Sequence, residues 1–237
     1  MTTERQPWGR FSSLALGFVA MITGQIIALV ALMLSTGQSL SQLADFGSDG
    51  GAVTTIILVS TPIEIALLAL WASQRSDNAA AYLGLVMPRR SDVVFGLLAV
   101  VALIVVADTV SWLLGRDLVT SFQNDIYRTS TSVSAMVLLW LAVIVVAPVG
   151  EEILFRGFLF RGWLRAPRDT WPTIVVTGAL FALLHVQYDW FVIGQVFLFG
   201  LLLGFMRWAS GSTLLTILLH ATINFEGMLE TWMGFHG

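Results

Sequence analysis

The stretch Val133–Phe160, VSAMVLLWLAVIVVAPVGEEILFRGFLF, decides how the rest of the chain is read. From Val133 to Val149 it carries no charge, nearly enough helix to cross the roughly 20-residue hydrocarbon core of a bilayer. Glu151, Glu152 and Arg156 follow at once. A charge at membrane depth costs about 2.5–3.5 kcal/mol on insertion scales, so such groups are kept for pairing or for chemistry. Proline and glycine break helices, so Pro148 and Gly150 leave open whether the next segment continues this span or starts a new helix.

Working outward, apolar stretches of the same kind recur before it, at about Ser13–Leu34, Gly51–Trp71 and Val93–Leu114. Three more follow, at about Pro172–Val186, Trp190–Trp208 and Ser212–Met233. The expected fold is all-α: a polytopic transmembrane helical bundle of about seven spans with a membrane-embedded cavity. Gly115–Ser132 is polar and reads as a loop with a short interfacial helix. Two parts are expected, an accessory N-terminal set of helices and loops at 1–132 and a helical core at 133–237.

Composition agrees. Of 237 residues, 57% are hydrophobic and 11% charged, against about 25% charged in soluble domains. That excludes a disordered chain, a nucleic-acid binder and an ordinary soluble globule. With no cysteine, disulfides, Fe–S clusters and thiol catalysis are excluded as well. All 12 basic residues are arginine, a compositional bias that carries little functional weight. Their placement does carry weight. With the N-terminus inside, Arg5, Arg10, Arg75, Arg89, Arg90, Arg156, Arg161, Arg165, Arg168 and Arg207 fall on the cytoplasmic side, leaving only Arg116 and Arg128 outside. The expectation is a multi-pass cell-membrane protein with a cytoplasmic N-terminus and an external C-terminus. The first span is too long for a signal-peptide core and lacks an A-x-A site, so it reads as an uncleaved signal anchor.

The ionisable and amide groups in or near apolar runs are Glu64, Asp108, Glu151, Glu152, Arg156, His185, His220, Asn224 and Glu226. Glu152 and Arg156 stand one helical turn apart, a spacing suited to an ion pair, whereas Glu151 points about 100° away. One carboxylate is thereby held while its neighbour stays free. Phe181 with His185 and His220 with Asn224 share the same i,i+4 spacing, so each pair projects from one side of its helix. Three segments aiming a carboxylate, two imidazoles and a carboxamide into one cavity suffice for hydrolysis: proton removal from water and donation to an oxyanion. Each group also has a plainer reading. Glu-Glu followed by Arg describes a solvated helix end, and lone histidines or His220 with Asn224 serve as interhelical hydrogen-bonding glue. Glu64 and Asp108 read as structural polar contacts, and Gly200-xxx-Gly204 as close helix packing.

Taken in order, Glu151-Glu152-x-x-x-Arg156, Phe181-x-x-x-His185 and His220-x-x-x-Asn224 resemble the type II CAAX prenyl endopeptidases. These belong to the broader CAAX-protease and bacteriocin-processing (CPBP, or Abi) group of intramembrane proteins. Ala147-Pro148-Val149-Gly150 and Phe155-Arg156-Gly157 resemble the flanks of its first motif. The resemblance covers about Val133 to Phe225 and implies a membrane-embedded glutamate endopeptidase acting on a membrane-associated or lipidated, including prenylated, protein or peptide. By position, it implies that Glu151 activates water with help from His185, that His220 and Asn224 stabilise the oxyanion, and that Glu152, Arg156 and Phe181 support the site. No cofactor is expected. The alternative is zinc on Glu151, His185 and His220, although HExxH is absent, as are GxSxG and GxGD. A non-catalytic scaffold, an immunity protein and a proton-coupled transporter are the rival classes. A scaffold tolerates Glu151→Ala, and a transporter depends on Glu64 or Asp108 as much as on Glu151.

Overall fold

The computed structural model describes residues 6–37 and 47–236; Arg5, used in the sequence reading, lies outside them. The described residues form helices α1 (Arg10–Thr36), α2 (Gly50–Ser73), a single turn α3 (Ala79–Tyr82), α4 (Arg90–Leu113), α5 (Ser121–Thr129), α6 (Val133–Trp163), α7 (Thr170–Leu183), α8 (Trp190–Ser210) and α9 (Thr213–His236). Five of them, α1, α2, α4, α6 and α8, are long and apolar enough to cross a membrane. The two further expected spans are also helices. At 14 residues, α7 reaches only about 21 Å at 1.5 Å per residue. The 24-residue α9 is long enough, but His220, Asn224, Glu226 and Glu230 dilute its apolar character.

The run that began at Val133 does not end at Val149. It continues past Pro148 to Trp163 as one helix with two wide π-turn segments, Ala142–Val146 and Ile153–Leu159. Proline has no N–H to give to an upstream carbonyl. In the π register before it, the Ala147 N–H bonds back five residues to Ala142. By the same register the partner of the Val143 carbonyl would be Pro148, so that carbonyl is left for another helix. The expected short amphipathic element is α5, whose start is fixed by a capping box: Gln123 N–H donates to the Thr120 hydroxyl, and the Gln123 side chain accepts from Thr120 N–H.

Small residues set how closely the helices approach. The buried face of α1 is Ser13, Gly17, Ala20, Gly24, Ala28 and Leu32, spaced at three or four residues. A Cβ on Gly24 would sit 2.7 Å from the Ser60 carbonyl oxygen of α2, and one on Gly17 would meet Leu154 of α6. Thr61 of α2 packs its methyl against Gly150. The N-terminal helices are thus seated directly on the segment that carries the two glutamates. Between α7 and α8, Gly178 faces Gly200, and Gly204 meets Ile174, as the Gly-xxx-Gly spacing implied.

The two ends of the bundle differ in charge. At one end Arg10 pairs with Asp169 at 2.6 Å, Trp8 donates to the Trp71 carbonyl at 2.9 Å, Arg75 lies over the Trp8 ring, and Thr213 N–H bonds Gly84. Arg161, Arg165 and Arg207 gather here too. At the other end Arg116 pairs with Asp189, and α5 packs its Tyr127 on Phe235 of α9. Arg156 is a correction to the arginine count: it is inside the bundle, not flanking it, because its charge is taken up by partners there. Eight described arginines still lie at the first end against two at the second.

Candidate functional site

The carboxylate pair divides as the spacing predicts. Glu152 and Arg156 both have side chains with 0% exposure and are joined by Arg156 Nη1 donating to Glu152 Oε1 at 2.8 Å. The other guanidinium nitrogen, Nη2, donates to the Gly200 carbonyl at 2.9 Å, which is reachable because Gly178 and Gly200 have no side chains to hold α7 and α8 apart. The guanidinium carbon also lies 4.7 Å from the Phe181 ring centroid. Glu151, next along the helix, is 36% exposed and opens into a cavity.

His220 links the two carboxylates. Its Nδ1 lies 3.0 Å from Glu152 Oε1, and an ionised carboxylate can only accept, so Nδ1 carries the proton. Nε2 is left towards Glu151, 3.7 Å from Oε2 and beyond hydrogen-bond reach. To donate from Nε2 the ring must carry both protons, and it then stands between two carboxylates.

His185 departs from the expected placement. It does not project from a helix face: α7 ends at Leu183 because the chain must turn back into α8 by Trp190. The turn keeps the histidine in place nonetheless, through its N–H bonded to Ala182 and its Nδ1 donating to the Phe181 carbonyl at 2.9 Å. That fixes the tautomer with an Nε2 lone pair, the form that accepts a proton. Phe181 is the wedge between the two imidazoles, edge-on to His185 at 4.8 Å and to His220 at 5.4 Å.

Asn224 answers the carbonyl freed by Pro148: its Nδ2 donates to Val143 at 2.8 Å. An amide nitrogen has two hydrogens, so one donor remains. Glu151, His185, His220, Asn224 and Phe181 all line one cavity of about 580 Å³. Every residue singled out for the site is therefore in the cavity wall or in the buried network directly behind it.

Several neighbours carry no motif in the sequence. Tyr188 stacks on the His185 ring at 6.1 Å and 15°, with Phe122 of α5 edge-on to it, and lines the same cavity. Burial, and to a lesser degree the Glu151 carboxylate, push its phenol up to about 12. Arg207 donates to the Arg156 backbone carbonyl at 2.8 Å, satisfying a carbonyl in the second wide-turn segment. Glu64 is buried on α2, with one oxygen unpartnered. Asp108 meets Glu226 and Glu230 on the cavity wall, with ligand oxygens within 4.8 Å. Among the described residues this is the one such cluster; Glu151, His185 and His220 do not come together so tightly.

Residues 133–225 match the family described as Type II CAAX prenyl endopeptidase Rce1-like. The match starts at the first residue of α6, ends one residue past Asn224, and contains all seven candidate site residues. It bears out the resemblance for that segment. A protein of Escherichia coli described as an uncharacterized 24.3 kDa protein is 34% identical over 102 residues, 41% of this chain and 46% of that protein. The chain thus spans less than half the length of this curated relative. No solved structure matches the chain.

Proposed function

We propose that the chain, whose residues 133–225 match that family, is an intramembrane endopeptidase that hydrolyses a peptide bond of a membrane-associated protein or peptide. The observation that carries this reading is the division of labour between adjacent glutamates. Glu152 is locked by Arg156 and His220, while Glu151 stands free at the cavity wall. A site built only to satisfy buried charge has no use for the second carboxylate.

In this reading Glu151, with the Nε2 lone pair of His185, takes a proton from water, and the water oxygen attacks the scissile carbonyl carbon. Nε2–H of protonated His220 and the unused Asn224 N–H donate to the developing oxyanion. The proton taken from water then passes to the departing amine as the C–N bond breaks, leaving a carboxylate and an amine. Glu152, Arg156 and Phe181 keep the two imidazoles in register. No metal is needed. Zinc held by Glu151, His185 and His220 is the alternative chemistry, and reversible loss of activity on chelation, restored by Zn²⁺, would favour it. By the arginine distribution, the N-terminus is cytoplasmic and the C-terminus external.

The test is Glu151→Gln, which keeps shape and removes the base. Comparing the membrane and secreted peptides of cells producing wild type or variant should show products that depend on Glu151, with a rate loss of at least ~10²-fold once a substrate is in hand. Unchanged processing with the variant would leave a scaffold or immunity role instead.

A further inference from the structure

The cavity reaches one end of the bundle, and it is not the arginine-rich end. Its lining includes Arg116, Leu118, Thr120, Gln123, Gln187 and Asp189, all from the connections and α5 at the arginine-poor end. None of its lining residues comes from the segments that meet at the other end: the start of α1, the end of α2 with α3, the end of α6, or the turn from α8 to α9. Between the site and that end the bundle is filled. Arg156, Phe158, Leu159, Phe160 and Leu83 are each 0–3% exposed, and the Arg156–Glu152–His220 network closes the floor. Glu151 stands 12 residues before Trp163 on α6, about 18 Å from the closed end at 1.5 Å per residue. The site is thus nearer the closed, arginine-rich face, yet reached from the opposite one.

Arginine-rich ends of short membrane loops stay in the cytoplasm. We infer that the cavity opens on the extracytoplasmic side, so that the substrate is a peptide segment presented from outside the membrane rather than a lipidated C-terminus displayed in the cytoplasm. This rests on the endopeptidase reading for the word substrate, but the direction of access does not. A segment entering there passes the 115–120 connection, the start of α5 and Tyr188 before it meets Glu151.

The chain has no cysteine, so single cysteines can be placed in the otherwise unaltered protein. Leu118→Cys marks the mouth, Gln187→Cys the wall, Glu151→Cys the floor, and Arg168→Cys the opposite face. Intact cells are treated with a membrane-impermeant maleimide, and remaining thiols are then counted in detergent with a permeant one. The expected result is that Leu118→Cys, Gln187→Cys and Glu151→Cys are labelled in intact cells, whereas Arg168→Cys is labelled only after permeabilisation. Arg168→Cys labelled in intact cells, with the three cavity positions protected, would overturn the inference. So would labelling of Leu118→Cys while Gln187→Cys and Glu151→Cys stay inaccessible. Gln187→Cys keeps the test decisive if Glu151→Cys does not reach the membrane. Failure of the endopeptidase reading is seen separately, as normal processing in Glu151→Gln, and leaves the labelling pattern unmoved.

Discussion

Arg156→Met is the substitution whose cost can be worked out most directly. It removes the 2.8 Å bond to Glu152, the 2.9 Å bond to the Gly200 carbonyl and the cation over the Phe181 ring. It leaves the Glu152 carboxylate with no exposure and without the guanidinium, beside only His220 and the Thr216 hydroxyl. Breaking one half of a buried ion pair costs about 3–5 kcal/mol, mostly because the surviving charge is uncompensated. At 1.4 kcal/mol per tenfold, the folded-to-unfolded ratio should fall roughly 10²–10⁴-fold. The double variant Glu152→Leu/Arg156→Met removes both charges and should recover most of that loss. A residual penalty of about 1–3 kcal/mol should remain because His220 Nδ1 has lost its acceptor. The assay is reversible unfolding of the purified protein in mild detergent by titration with a denaturing detergent. A single variant within about 1 kcal/mol of wild type, or a double variant no more stable than the single, would refute the claim that the pair's worth lies in mutual neutralisation.

Asn224→Ala removes the remaining amide donor and also orphans the Val143 carbonyl; a turnover loss of about 10²–10³-fold is expected, against a KM change of less than tenfold, measured on the first Glu151-dependent substrate. For Asp169, burial opposes ionisation, but the Arg165 and Ala166 N–H groups and Arg10 outweigh it and hold the carboxyl below its ordinary value. Its contribution is therefore present above the unfolded carboxylate range near pH ~4 and lost as pH falls through the lower folded value, so Asp169→Asn should lower Tm at pH 7 and converge with wild type in strong acid. All three tyrosines, Tyr82, Tyr127 and Tyr188, are raised by burial above the ordinary phenol value. Absorbance titration at pH ~10, where an unfolded chain is half ionised, should show less tyrosinate in the folded protein; equal ionisation in the two states would contradict their burial. Tyr188→Phe keeps the ring on His185 and should retain fold and Tm, whereas Tyr188→Ala should not.

What the chain makes visible in advance is whatever a single helix can encode. Glu152 and Arg156 four apart, Phe181 before His185, and the Gly200 and Gly204 pair all needed only the helical period to be placed. The register change at Pro148 needed more, because the compensating wide turn lies upstream, in Ala142–Val146, where no residue type announces it. With that change hidden, so was the pairing of Asn224 with Val143. Tyr188 and the Gly200 carbonyl were invisible for a related reason: one lies in a turn and the other is backbone, and neither has a period. Asp108 and Glu226 stood out singly as intramembrane carboxylates, but their meeting depends on how α4 packs against α9. His185 was the instructive case: it lines the cavity although its helix stops two residues short, because the side chain itself holds the Phe181 carbonyl.

The order in which the buried charges find partners is also an order in time. Glu152 and Arg156 lie four residues apart on one helix, so they enter the lipid already neutralised. Gly200 is 44 residues downstream of Arg156, and His220 is 68 downstream of Glu152. At about 5–20 residues synthesised per second, Gly200 follows by some 2–9 s and His220 by some 3–14 s. For those seconds the nascent protein holds an ion pair in the bilayer with two of its three hydrogen bonds unmade. A chain halted before α9 is a membrane protein awaiting its last helix, exposed to quality-control proteases at the very residues that later form the floor of the cavity.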